Sequence, residues 1–244
     1  QGEFRDSYSA GLALDSEQKR MYVVDQANFR LAVIDLGSGR VLHSIPVGRL
    51  PLLVALSPDR KQAFVTNMGM FEYRPIPGAD PKSPLATGLP FPAFGFPSLE
   101  SENGVTRQTL PGDVFVPGLG DPNAPESNSV TVVDLSDSTP KAVKWIRVGL
   151  PFGGKVKGGS SPSGVLATED SVYVSTGHND GITVIDRATL TASGEIPLRI
   201  PGLESLRGII PTGMDFDPSG KRLYVAEAGI NAVAVIDTVQ RKVL

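Results

Sequence analysis

The chain has no cysteine, one tryptophan and two histidines in 244 residues. Without thiols there is neither a disulfide nor a thiolate metal site. With His43 and His178 alone, no HExxH or paired-histidine metal motif can be written, and no Ser-His-Asp order with a GxSxG elbow is present. No uninterrupted apolar run reaches the ~18 residues that a membrane-spanning helix needs. Basic residues do not dominate. The 23 Lys and Arg against 26 Asp and Glu leave a net charge of −3, which argues against a nucleic-acid partner. No signal-peptide pattern stands at Gln1, as expected of a mature or trimmed form.

Glycine and proline, by contrast, are plentiful, at 27 and 21 residues. That supply suits a chain with many short strands and many turns. The stretch from Tyr22 to Asn67 shows the plan. Tyr22–Asp25, Leu31–Asp35, Val41–Val47 and Leu52–Leu56 are short β-rich runs. Ala63–Asn67 then copies Tyr22–Asp25. A period of roughly 40 residues holding four strands predicts one propeller blade per repeat. Strands Ser9–Leu14 through Val41–Val47 make blade 1. Leu52–Leu56, Ala63–Asn67, Val130–Asp134 and Ala142–Val148 make blade 2. Gly164–Thr168, Val172–Thr176, Ile182–Asp186 and Thr191–Pro197 make blade 3. Gly213–Phe216, Leu223–Glu227, Ala232–Asp237 and a strand opening at Lys242 make blade 4.

Three long excursions interrupt the repeat. Residues 68–128 are rich in Pro and Gly and carry Phe71, Tyr73, Phe91, Phe94, Phe96 and Phe115. A disordered linker would be poorer in aromatics, so an ordered loop packed on the propeller by these rings is expected. Residues 149–162 and 198–210 are the other two. With strands labelled a to d from the axis outward, antiparallel neighbours put b–c connections and d–a crossings on one face of the disc. All three excursions fall in those classes, which predicts a one-sided binding face.

Asp35, Asp134, Asp186 and Asp237 close strand c in each blade, where bonding to the turn backbone is the expected role. Asp25, Asn67, Thr176 and Glu227 close strand b beside the long loops. A polar side chain there can hold loop backbone or touch a ligand, and Asn67, Thr176 and Glu227 are carried as candidate contacts. His178 shares that face, although Asn179-Asp180-Gly181 reads well as a plain turn. Lys155 and Lys157 lie in a glycine-rich loop that lacks the Walker spacing. Together with Arg49, Arg199 and Arg207 they would make the face locally positive and suited to a small anionic ligand. A solvated loop is the plainer alternative. Asp121, Asn123, Glu126 and Asn128 offer oxygen ligands of the kind calcium takes, without an EF-hand pattern. The sequence requires no cofactor. Trp145, on an outer strand, reads as core.

The segments VIDLGSGRVLHSIPVG, PLLVALSPDRKQAFVTN and MDFDPSGKRLYVAEAGINAVAVIDT resemble the YVTN-type β-propeller repeat, with FVTN at Phe64–Asn67 close to its name-giving tetrapeptide. Propellers of this repeat generally have more than four blades. The resemblance therefore implies an all-β, partial ring over residues 1–244, belonging to a larger, seven-bladed one. NMGMFEY, GLPFPAFGFPS and GLGDPNAPESNSV are similar to bacterial proteins in which such a propeller precedes an alkaline-phosphatase-like phosphoesterase domain. That resemblance implies an exported protein, periplasmic or extracellular, and a propeller that recruits substrate or docks the downstream domain. No catalytic residue is carried over to this chain, because none of that domain's motifs is in it. A stand-alone, metal-dependent hydrolase of the lactonase type is the alternative from a different class.

Overall fold

The computed structural model describes residues 7–73, 76–80, 82–88, 91–94, 96–109, 112–149 and 158–244. Blade 1 is a four-stranded antiparallel sheet of β1 (Ser9–Asp15), β2 (Arg20–Asp25), β3 (Arg30–Asp35) and β4 (Val41–Pro46). Blade 2 begins with β5 (Pro51–Leu56) and β6 (Gln62–Asn67). The chain then leaves through α1 (Pro84–Thr87), α2 (Leu99–Asn103), β7 (Gly104–Thr109) and β8 (Gly112–Pro117). It returns as β9 (Ser129–Asp134) and β10 (Lys141–Arg147). β6 pairs with β9, so the sheet order β10-β9-β6-β5 closes across the insertion. Blade 3 is β11 (Pro162–Ala167), β12 (Ser171–Thr176), β13 (Gly181–Asp186) and β14 (Thr191–Pro197). Blade 4 is β15 (Pro211–Phe216), β16 (Arg222–Glu227), β17 (Ala232–Asp237) and β18 (Lys242–Val243).

The strands follow from period-2 patterning, and the core shows which side each face meets. Four blades leave three seams, and the described residues form a hydrophobic cluster at each. Tyr22 and Val24 of blade 1 pack with Ala63, Val65 and Val133 of blade 2. Phe64, Val130 and Val132 of blade 2 pack with Val172, Val174 and Ile185 of blade 3. Tyr173, Ile182 and Val184 of blade 3 pack with Leu223, Val225 and Ile236 of blade 4. Adjacent residues of β6 and of β12 thus serve opposite seams, and both strands are buried on both faces. Each such side chain contributes roughly 1.5–3 kcal/mol on burial.

The terminal blades differ. β16 alternates strictly between buried and exposed. Its second face turns out Tyr224, with Val233 beside it at 61% exposure. On blade 1, Leu12 and Leu14 stand 57% and 55% exposed.

The same bulge recurs near the start of strand a in all four blades, between Ser9/Leu12, Pro51/Val54, Pro162/Val165 and Pro211/Met214. Its freed amide is taken by a strand-b hydroxyl where one is present. Leu53 donates to Thr66 Oγ1 at 3.0 Å and Gly164 to Ser175 Oγ at 2.6 Å.

On the tight-turn side, Arg187 joins blades 2 and 3. Its guanidinium donates to the Thr168 and Glu169 carbonyls and to Gln62 Oε1 and Asp59 Oδ1. The strand-c aspartates hold turns as expected. Asp35 accepts from the hydroxyl and amide of Ser38, Asp134 from those of Ser136, and Asp186 from those of Thr189. These bonds lower the pKa of all three carboxyls. Asp237 accepts the amides of Val239 and Gln240. Trp145 departs from its core reading. It is 38% exposed on outer strand β10, opposite the buried Thr131.

Candidate binding rim

The excursions meet along one rim, and hydrogen bonds mark the path. Where blade 1 crosses to blade 2, the Arg49 amide donates to the Glu126 carbonyl at 2.9 Å. Met68 and Gly69 donate to the Leu50 and Arg49 carbonyls. Arg49 Nη1 reaches the carbonyls of Met70, at 2.6 Å, and Asp121, at 3.1 Å. Both ends of the insertion are therefore tied to this crossing. At the next seam, Gly177 and His178 donate their amides to the Ser161 and Ser160 carbonyls. At the third, Ala228 and Gly229 donate to Ile210 and Ile209.

The insertion is ordered, but not in the way its aromatics suggest. β7 and β8 form a hairpin, and α2, opened by a capping box at Ser98 and Ser101, leads into it at Gly104. Phe71 is buried, with Tyr73 stacked edge-on against it at 6.3 Å. Phe96 and Phe115 instead face solvent, at 84% and 59% exposure. Packing of the insertion by all six rings is therefore corrected. Phe115 sits on a two-stranded hairpin, and Leu85, Leu99 and Val114 are exposed with it. Two concavities open here. One of about 420 Å³ lies between Arg49, Glu72, Pro77, Pro92 and Leu119. A second, of about 360 Å³, is walled by Ile76, Leu85, Phe91, Val114 and Val116, with Arg107 at its edge. Arg107 is engaged by Glu100 at 2.6 Å.

The strand-b ends act on the chain itself. Asn67 is fully buried, and its Nδ2 donates to Ser129 Oγ and Thr131 Oγ1. Thr176 Oγ1 donates to the Gly181 carbonyl. Asp25 is partly desolvated, which pushes its carboxyl up. Bonds from Asn28, Arg30 and the Tyr8 amide outweigh that and leave the pKa lowered. Glu227 goes the other way. Burial, then the nearby Asp180 carboxylate, raise its pKa.

The arginines read as a basic face mostly hold loop carbonyls. Arg199 Nη1 bonds those of Asp180 and Leu198, and Arg207 Nη1 bonds those of Glu204 and Leu206. Lys155 and Lys157 lie outside the described residues. His178 is exposed, with Nδ1 3.2 Å from the Gly159 carbonyl.

Of the oxygen ligands, Asp121 Oδ1 accepts the Asn123 amide, Asn123 Oδ1 accepts from Arg147, and Asn128 Oδ1 accepts the Ser161 amide. The Glu126 carbonyl takes the Arg49 amide. Among the described residues, no three or more imidazole or carboxylate groups are clustered to hold a metal ion.

Sequence reasoning passed over Asp180 as a plain turn residue. It is 2% exposed, and its two oxygens accept the amides of Gly208 and Ile210. Its place in the repeat, matching Asn128, was the available signal.

No family model and no curated protein matches the chain. Solved structures do. The whole chain superposes on 51% of a chain of Kuenenia stuttgartiensis hydrazine synthase, at 17% identity and a TM-score of 0.61. Of the chain, 99% superposes on 52% of U3-55K, at 11% identity and 0.56. A further match covers 96% of the chain and 62% of a chain in a nidogen/laminin complex, at 14% identity and 0.51. At such identities the likeness defines the fold alone, a β-propeller. The chain spans about half the length of the first two of these solved chains.

Proposed function

We propose that this chain is a binding and scaffold module: four consecutive blades of a larger propeller ring, with a rim built from residues 68–128, 149–162 and 198–210 that receives a partner. The observation that carries the reading is the insertion. It is fastened at both ends to the crossing at Arg49, yet it turns Leu85, Phe96, Leu99 and Phe115 outward. Exposed apolar groups on an ordered, scaffold-borne loop are suited to contact with another surface.

The partner we propose is a downstream phosphoesterase-like domain of the same protein, in an exported setting. The sequence resemblance of the insertion supports that choice. The test is amide hydrogen exchange on the product of the whole gene against residues 1–244 alone. Slower exchange over residues 96–117 in the whole product is expected. Equal exchange there would reject the docking role. Lactone hydrolysis by residues 1–244 alone, together with a calcium-dependent rise in melting temperature, would favour a metal-dependent propeller hydrolase instead.

A further inference from the structure

The residue that closes each b–c connection is left-handed in every blade: Phe29, Asn128, Asp180 and Asn231, with φ of 49°, 46°, 51° and 55°. In the middle blades this residue clasps the crossing to the next blade at both ends. The Asn128 carbonyl accepts the Val148 amide, where the crossing starts, and its Oδ1 accepts the Ser161 amide, where it ends. The Asp180 carbonyl accepts from Leu198, and its Oδ1 accepts from Ile210. Phe29 keeps the first half, taking the Val47 amide on its carbonyl, but has no side-chain acceptor. That seam is the one the insertion covers.

Asn231 stands at the same place in blade 4. It has the same backbone conformation, its side chain is exposed, and it makes no side-chain hydrogen bond among the described residues. A second observation concerns the bulge in strand a. A Cβ on Gly11 would lie 2.7 Å from the Leu52 carbonyl oxygen of blade 2, and one on Gly164 would overlap the Thr212 carbonyl oxygen of blade 4. Gly213 occupies the equivalent position in blade 4, and a Cβ there meets nothing within 4 Å. Blade 2 has Leu53 there, packed into the blade 2–blade 3 cluster, so glycine serves two of the three seams, and Gly213 repeats that choice in the blade where Tyr224 and Val233 are exposed.

We propose that the open face of blade 4 receives a further four-stranded blade of this repeat, and that Asn231 is its clasp. The crossing's last amide would donate to Asn231 Oδ1, as Ser161 does to Asn128. This deepens, and rests on, the larger-ring reading. A second copy of this chain fits less well. Among the described residues, the other blade face without a neighbouring blade is that of blade 1, whose entering residue is Tyr8. The Tyr8 amide is already held by Asp25 of its own blade, at 3.1 Å.

The test compares residues 1–244 with the product of the whole gene, reading the urea midpoint of Asn128→Gly, Asn231→Gly and Gly213→Ala. Glycine keeps the positive φ, so the first two changes remove the side-chain acceptor without straining the backbone. In residues 1–244, only Asn128→Gly should lower the midpoint. In the whole product, all three should lower it, with Asn231→Gly close to Asn128→Gly. If Gly213→Ala lowers the midpoint there while Asn231→Gly does not, the clasp is wrong and the larger ring stands. If neither Asn231→Gly nor Gly213→Ala lowers the midpoint in the whole product, the ring reading fails as well. A stop codon directly after Leu244, or sedimentation of residues 1–244 as a dimer at micromolar concentration, would overturn the proposal.

Discussion

Single residues on the rim are set by their neighbours more than by their own chemistry. Asn67, Thr176 and Glu227 hold equivalent positions, yet the first two donate to strand c, while Glu227 is desolvated beside Asp180. A carboxyl whose pKa is raised on folding binds its proton more tightly in the folded chain, so stability falls as pH rises from its ordinary range through the raised value. Glu227→Gln removes that dependence. It should raise stability at pH 8 relative to the parent, and the gain should vanish as the pH drops into the ordinary glutamate range. Urea midpoints measured from pH 4 to pH 8 check it. Asp25 has the opposite sign. Its lowered pKa supplies stability that is present above the ordinary aspartate range and lost below its folded value.

At the scale of elements, the strand-a bulge fixes how closely blades approach. Gly11→Ala and Gly164→Ala should each cost about 1–3 kcal/mol in denaturant unfolding, because the added carbon meets backbone that cannot swing away. The blades were legible in sequence because the inner strands alternate their side chains between two faces with an apolar group on each seam side, and Gly, Pro, Asp and Ser close the turns. Boundaries moved by a residue or two, as at β11, which begins at Pro162. The interior of the insertion was not legible. Val105 and Val116 pair across the hairpin, but the surrounding Pro and Gly hide any period. The clasp escaped for another reason. Phe, Asn, Asp and Asn share a conformation rather than a chemistry. Arg187 escaped because its contacts at Asp59 and Gln62 lie 128 and 125 residues away in the chain.

For the molecule as a whole, protection should follow distance from the open faces. β6, β9, β12 and β13 are buried on both sides, whereas β1 and β17 meet a neighbouring blade on one side only. In residues 1–244, amide exchange should be slowest in those four central strands and fastest toward β1, β17 and β18, as in other stacked repeats whose units contact only their neighbours. Uniform protection across all four blades would show that the arc unfolds as one unit.

Asn67 and Ser129 face each other across one rung of the blade 2 sheet. The excursion between them thus departs and returns through a gap that a two-residue hairpin could bridge. Closing a loop of that length instead costs only about 3 kcal/mol more, since the entropy grows with the logarithm of length. Blade 2 is for that reason a socket. With its anchoring ends at 68–70 and 119–128 kept, the wall between them can be exchanged for foreign sequence of very different size without asking the wheel beneath to change, which makes this position a natural port for displaying grafted peptides.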